Sequence, residues 1–172
     1  ESCQSPVHTR MSSGDEIVSN NSVNFDSWIL PTCLSFNGVN NAIFPTDERT
    51  QIHWVMEKTN EFYRDPTRFN RNGFDNNGIA TISNTDDAST TMADNAMFNP
   101  VTNQITLGKK GAKGNFDPIS SDILAHEYTH GVSKFSVSGG LIQSGESGAL
   151  SESFSDIFGK MLEYYVKTNY ST

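Results

Sequence analysis

His126-Glu127-Tyr128-Thr129-His130 is the segment whose residue types and spacing could do chemistry. Two histidines four apart on an α-helix are offset by only about 40° around the axis and about 6 Å along it, so both rings can meet one metal ion. Glu127 lies about 100° around from His126, beside such an ion rather than on it. That is where a general base would act on a water activated by the metal. A helix with two unrelated surface histidines would read the same over five residues, so the surroundings decide.

A metal site of this kind needs a third protein ligand. The metzincin continuation would place Gly at 133 and His at 136, and both are serine. Glu152 follows His130 by 22 residues, and Asp156 stands four further on. On a helix these two share a face, opposite a Leu150/Phe154/Ile157 stripe. Glu152 can complete a His₂Glu set, and Asp156 can accept the free N–H of a ligand imidazole, fixing the ring and raising its basicity.

The elements that must hold these groups are legible from periodicity and punctuation. Asp117-Pro118 reads as a capping acid before a first-turn proline, opening a helix with Leu124, Tyr128, Val132 and Phe135 as its stripe. A second helix is expected from about Ser147 to Val166, with Leu150, Phe154, Ile157, Phe158, Met161 and Tyr165 facing the core. Leu162 and Val166 flank that stripe. Upstream, Thr46-Asp47-Glu48 starts a helix whose apolar face is Ile52, Val55, Met56, Phe62 and Tyr63, ended by Asp65-Pro66. Short strands are expected at 23–30, 33–36, 79–83, 96–98 and 104–107. Residues 108–114, with Lys109, Lys110 and Lys113, read as a solvated loop.

Composition narrows the class. The chain has 172 residues, 35% of them hydrophobic, and a net charge of −8. That suffices for a packed core and argues against disorder. With a pI near 4.8 and scattered basic residues, a nucleic-acid partner is not expected. No run approaches a membrane span. Cys3 and Cys33 fit no C-x-x-C pattern, so they are a disulfide or two thiols. An even count near one terminus of a Ser/Asn/Thr-rich chain favours the disulfide and export. No leader is legible at Glu1, which leaves a cytosolic chain or a processed one. The sequons at Asn20 and Asn169 read as chance in an Asn-rich sequence.

The pentapeptide, followed by Glu146-Ser147-Gly148-Ala149-Leu150-Ser151-Glu152-Ser153-Phe154-Ser155-Asp156-Ile157-Phe158-Gly159, closely resembles the thermolysin family of secreted zinc metalloendopeptidases. Asn95-Ala96-Met97-Phe98 resembles that family's edge strand, and the resemblance covers about residues 47–166. It implies zinc on His126, His130 and Glu152, with Glu127 as base and Asp156 behind His126. It also implies that Asn95 and the backbone of Ala96 grip an extended peptide, and that Asp122 and Glu163 help bind calcium. Some features depart from the family. Leu141-Ile142-Gln143-Ser144-Gly145 lacks the tyrosine the family carries in the corresponding stretch, its nearest counterpart being Gln143; Ser151 replaces an asparagine; and Gly108-Lys109-Lys110-Gly111 replaces an acidic loop. A further helical lobe with a catalytic histidine is expected from the family. His8 and His53 precede the zinc helix and cannot supply that histidine, so a second chain or a longer one would have to.

The expectation is therefore an α+β lobe. Residues 1–116 form a β-rich part with one early helix and the substrate edge, and 117–172 a part with two zinc-bearing helices. The function expected is zinc-dependent endopeptidase chemistry on extended polypeptides, secreted, with a C-terminal lobe as partner. The alternative is a non-catalytic, zinc-stabilised lobe that binds a peptide or propeptide. If Cys3 and Cys33 pair, intact mass should rise on alkylation only after reduction; alkylation of both without reductant rejects the bridge.

Overall fold

The computed structural model describes residues 7–10, 16–19, 34–37, 48–79, 81–86, 92–108, 120–138 and 140–170. Among these residues, six strands and three helices follow in the order β1 (Val7–Arg10), β2 (Glu16–Ser19), β3 (Leu34–Asn37), α1 (Glu48–Arg64), β4 (Thr81–Asp86), β5 (Ala96–Asn99), β6 (Gln104–Gly108), α2 (Ser121–Ser136) and α3 (Gly145–Tyr170). The fold is α+β, as expected. The strands form one mixed sheet in the order β3-β2-β1-β4-β6-β5. β1 and β6 both run parallel to β4, and β5 pairs antiparallel to β6 with Phe98 opposite Ile105. β5 is therefore the sheet's last strand on the side that carries the site.

The early helix forms as its pattern predicts, and Ile52, Val55, Met56, Phe62 and Tyr63 are all buried. α1 lies against β1 and β4 and touches both later helices. Its buried polar residues bind α2: Tyr128 Oη donates to Asn60 Oδ1 at 2.7 Å, and the Tyr63 and Thr129 hydroxyls meet at 2.7 Å. The Tyr63 and Tyr128 rings stack at 5.2 Å between centroids. Burial pushes both phenols' pKa values well up, so they remain protonated partners. His53 is fully buried, packed rather than solvent-facing, with Nε2 3.6 Å from Glu57 Oε1.

Several boundaries move. The strand expected at 79–83 starts at Thr81, because Ile79 N–H is taken by Asp75 Oδ1 at 3.1 Å in the preceding turn. α2 starts at Ser121 after an extended Ser120, later than the Asp117-Pro118 signal, which lies outside the described residues. α3 is longer than expected at both ends. The strand expected at 33–36 appears as β3, while that at 23–30, the lysine loop and both cysteines lie outside the described residues.

The larger correction concerns which face of α3 is buried. Ser151, Ser155, Gly159 and Leu162 are its buried residues, with Phe158, Tyr165 and Val166 packed alongside. Leu150, Phe154, Ile157 and Met161, expected in the core, are 40–51% exposed. Leu162, read as a flanking residue, is fully buried. The physical reason is close approach. A Cβ on Gly159 would stand 2.5 Å from the carbonyl oxygen of Asp122, so small residues let α3 lie on α2. Among the described residues no helix is long and apolar enough to cross a membrane.

Gly159→Ala should consequently force the two helices apart and destabilise the fold by about 1–3 kcal/mol, the usual range for overpacking. Chemical denaturation measures this against Ser153→Ala, an exposed α3 position where little change is expected; equal midpoints would refute the close packing.

Candidate metal centre

α2 supplies two imidazoles and a carboxylate from adjoining faces. Tyr128 and Thr129 are locked into the core, which turns His126 and His130 outward toward α3 while Glu127 stays buried. The two Nε2 atoms lie 3.0 Å apart. From α3, Glu152 Oε2 approaches His126 Nε2 to 3.2 Å and Glu152 Oε1 approaches His130 Nε2 to 3.5 Å. The sequence-predicted trio is thus brought together, and it is the one group of three or more metal-ligating side chains found among the described residues.

These separations test the fit to zinc. Corners about 2.0–2.1 Å from the centre of a tetrahedron are about 3.3–3.4 Å apart. The Nε2–Nε2 separation of 3.0 Å is a little short of that value, the nearest Glu152 oxygens, one for each ring, lie 3.2 and 3.5 Å away, and one ligand atom from each of the three residues lies within 4.8 Å of the other two. Two imidazoles and one carboxylate are also the donor set of catalytic zinc sites, where a fourth position is left open. The residues present fit the ion.

Each imidazole has support behind it. Asp156 Oδ1 accepts from His126 Nδ1 at 2.9 Å. His130 Nδ1 lies 3.2 Å from both Ser151 Oγ and Ser155 Oγ. Burial, with the neighbouring His126 second, holds the pKa of His130 below the usual imidazole range, which favours the neutral ring that a metal needs.

Glu127 points to the other side. Its Oε2 accepts the backbone N–H of Phe98 at 2.6 Å, tying the acid to edge strand β5. Burial raises its pKa, opposed by the charge of His126 and by the Phe98 N–H. Asn95 is exposed at the strand's start, and its Oδ1 accepts from Ala96 N–H at 3.0 Å. Asn95, Ala96, Phe98, Glu127 and the three candidate ligands line one cleft. Asp122 and Glu163 lie elsewhere: Lys160 Nζ bridges them at 2.5 and 2.9 Å, and Lys167 also reaches Glu163.

Sequence reasoning missed the two serines behind His130 and the Phe98 contact. The signal for the serines was present as small residues at 151, 155 and 159, a close-contact spacing. Nothing in the sequence marks the Phe98 amide.

The cleft thus brings a candidate metal-ligand trio and a buried acid together beside a sheet edge. Comparison with known proteins places the chain in a family. Residues 14–134 match the thermolysin metallopeptidase catalytic domain, and residues 139–172 match the alpha-helical domain of the same family. The chain belongs to the thermolysin metallopeptidase family. It is 43% identical to neutral protease B of Bacillus subtilis over 124 residues, covering 71% of this chain and 21% of that protein. It is 41% identical to a bacillolysin of Brevibacillus brevis over 113 residues, covering 64% and 20%. The chain thus spans about a fifth of these relatives. Among solved structures, the precursor of protealysin, a metalloproteinase from Serratia proteamaculans, shares the fold with a TM-score of 0.62 at 22% identity, over 96% of this chain and 45% of that one.

Titration of the full chain with zinc should give one ion per chain, and His126→Ala should abolish it. Undiminished zinc in that variant would rule out this trio.

Proposed function

We propose that this chain carries the zinc centre of an endopeptidase that cleaves extended polypeptides, and that it works together with more of the alpha-helical domain. The observation that carries the reading is the Glu127–Phe98 hydrogen bond. It sets one acid between the candidate ligands and the free edge of β5, where a peptide backbone can add as a further strand.

His126, His130 and Glu152 would hold zinc, with Asp156 fixing the His126 ring. Bound there, zinc supplies Lewis acidity toward a scissile carbonyl and toward water. Glu127 does the proton work: its carboxylate takes a proton from the attacking water and passes it to the leaving amide nitrogen. A raised pKa suits that double duty, because a base that must later act as an acid works best near the operating pH. At the edge, an incoming carbonyl would take over the Ala96 N–H that Asn95 Oδ1 now accepts, freeing the Asn95 side chain to hold the same peptide. A purely structural zinc site has no need of a buried acid poised like Glu127, which places the non-catalytic alternative second.

The partner reading rests on the exposed stripe of α3. Leu150, Phe154, Ile157, Met161 and Tyr164 alternate at spacings of four and three, an apolar seam of the kind that packs against other helices. Covering it with further helices would also wall the cleft. Calcium has less support. A site takes six to eight oxygens, and at Asp122 and Glu163 an incoming ion would have to displace Lys160. Export follows from the reading if Cys3 and Cys33 pair.

Glu127→Gln tests the mechanism cleanly, since a carboxamide oxygen can still accept from Phe98 N–H. In a chain extended through the helical domain, it should bind zinc as the parent does and cleave a quenched peptide 10²–10⁴-fold more slowly. Parental turnover by this variant would overturn the assignment of the base.

A further inference from the structure

The two imidazoles are supported by different chemistry. His126 has the Asp156 carboxylate, which is 74% exposed, whereas His130 faces two fully buried hydroxyls. We propose that Ser151, Ser155 and Gln143 form a neutral cradle that orients His130 as a metal ligand; this rests on the zinc reading above.

Both Oγ atoms stand 3.2 Å from His130 Nδ1, so a single N–H can be shared between them. Donation from Nδ1 leaves Nε2 as a lone pair facing His126 and Glu152, the tautomer a metal ligand requires. Ser151 Oγ also accepts from Gln143 Nε2 at 3.1 Å. The amide orientation is internally consistent, because the same Nε2 faces the Leu141 carbonyl oxygen, an acceptor only, at 3.4 Å. A hydroxyl oxygen has two acceptor positions, and Gln143 fills one on Ser151 while leaving the other to the imidazole.

The local chain is shaped to allow this. A Cβ on Gly148 would come within 3.0 Å of the Gln143 carbonyl carbon, so the bare glycine lets the segment before α3 lie against its first turn. Gln143 thereby reaches back over α3 to Ser151 while lining the cleft. Ser151 and Ser155 have two roles: their size permits the helix contact, and their hydroxyls hold the ring that the contact brings near. All three are positioning residues, acting through His130.

The test measures zinc affinity by chelator competition on the full chain, together with the imidazole ¹⁵N–¹H resonances of the zinc-loaded protein. Ser151→Ala/Ser155→Ala should weaken zinc 10–100-fold, the usual loss for a partner behind a ligand. It should also move the His130 Nδ1–H resonance while leaving that of His126 in place. Gln143→Ala, at an exposed position that cannot unfold the core, should shift the same resonance and weaken zinc less. It carries the test alone if the double variant does not fold. Zinc affinity within twofold of the parent and an unmoved His130 resonance in either folded variant would overturn the cradle. A parent chain that bound no zinc would instead remove the reading on which the cradle rests, and the cradle with it.

Discussion

The site depends on how closely α3 can lie on α2. Glu152 and Asp156 are on one helix and the imidazoles on the other, and they meet only because nothing larger than serine stands between the axes at 151, 155 and 159. At Gly159 the backbone of Asp122 occupies the space a side chain would need. A bulkier residue there would widen the gap, and the separations of 3.2 and 3.5 Å between Glu152 and the imidazoles would open with it. Packing density and ligand geometry are one constraint in this molecule.

A second contact sets the roll of α2. Tyr128 and Thr129 are fixed by Asn60 and Tyr63 of α1. Residues 126 and 130 are thereby turned outward, and 127 toward the sheet. A helix puts neighbouring residues about 100° apart, so fixing one face fixes the others. The same rotation that aims two imidazoles at α3 brings Glu127 to the backbone of β5. The placement of the candidate ligands, the buried acid and its contact with the sheet edge is set by the burial of one tyrosine and one threonine.

The electrostatics follow from this placement. Burial moves Glu127 and His130 in opposite directions, the acid toward its protonated form and the imidazole toward its neutral form. In each case the uncharged species is favoured because water is excluded. Glu152 and Asp156, by contrast, remain open to solvent.

The sequence by itself picked out which side chains meet: the two histidines of the pentapeptide, the acid 22 residues on and the acid one turn later are neighbours in space. It determined α1 and the burial of its apolar face as well, but not the burial of His53, Glu57, Lys58, Thr59 and Asn60 on the same helix, which tertiary packing decided. The burial of α3 was decided only by the tertiary structure. That helix carries two candidate stripes, one large and apolar, one small. Hydrophobicity favours the first, but close contact with α2 selects the second, and sequence periodicity holds no distance between helices. The small residues at 151, 155 and 159 signalled a close contact, but not that two hydroxyls would face His130 across it. The tie from Glu127 to Phe98 had no signal at all, because a backbone amide leaves no trace in the sequence until folding places it 2.6 Å from a carboxylate.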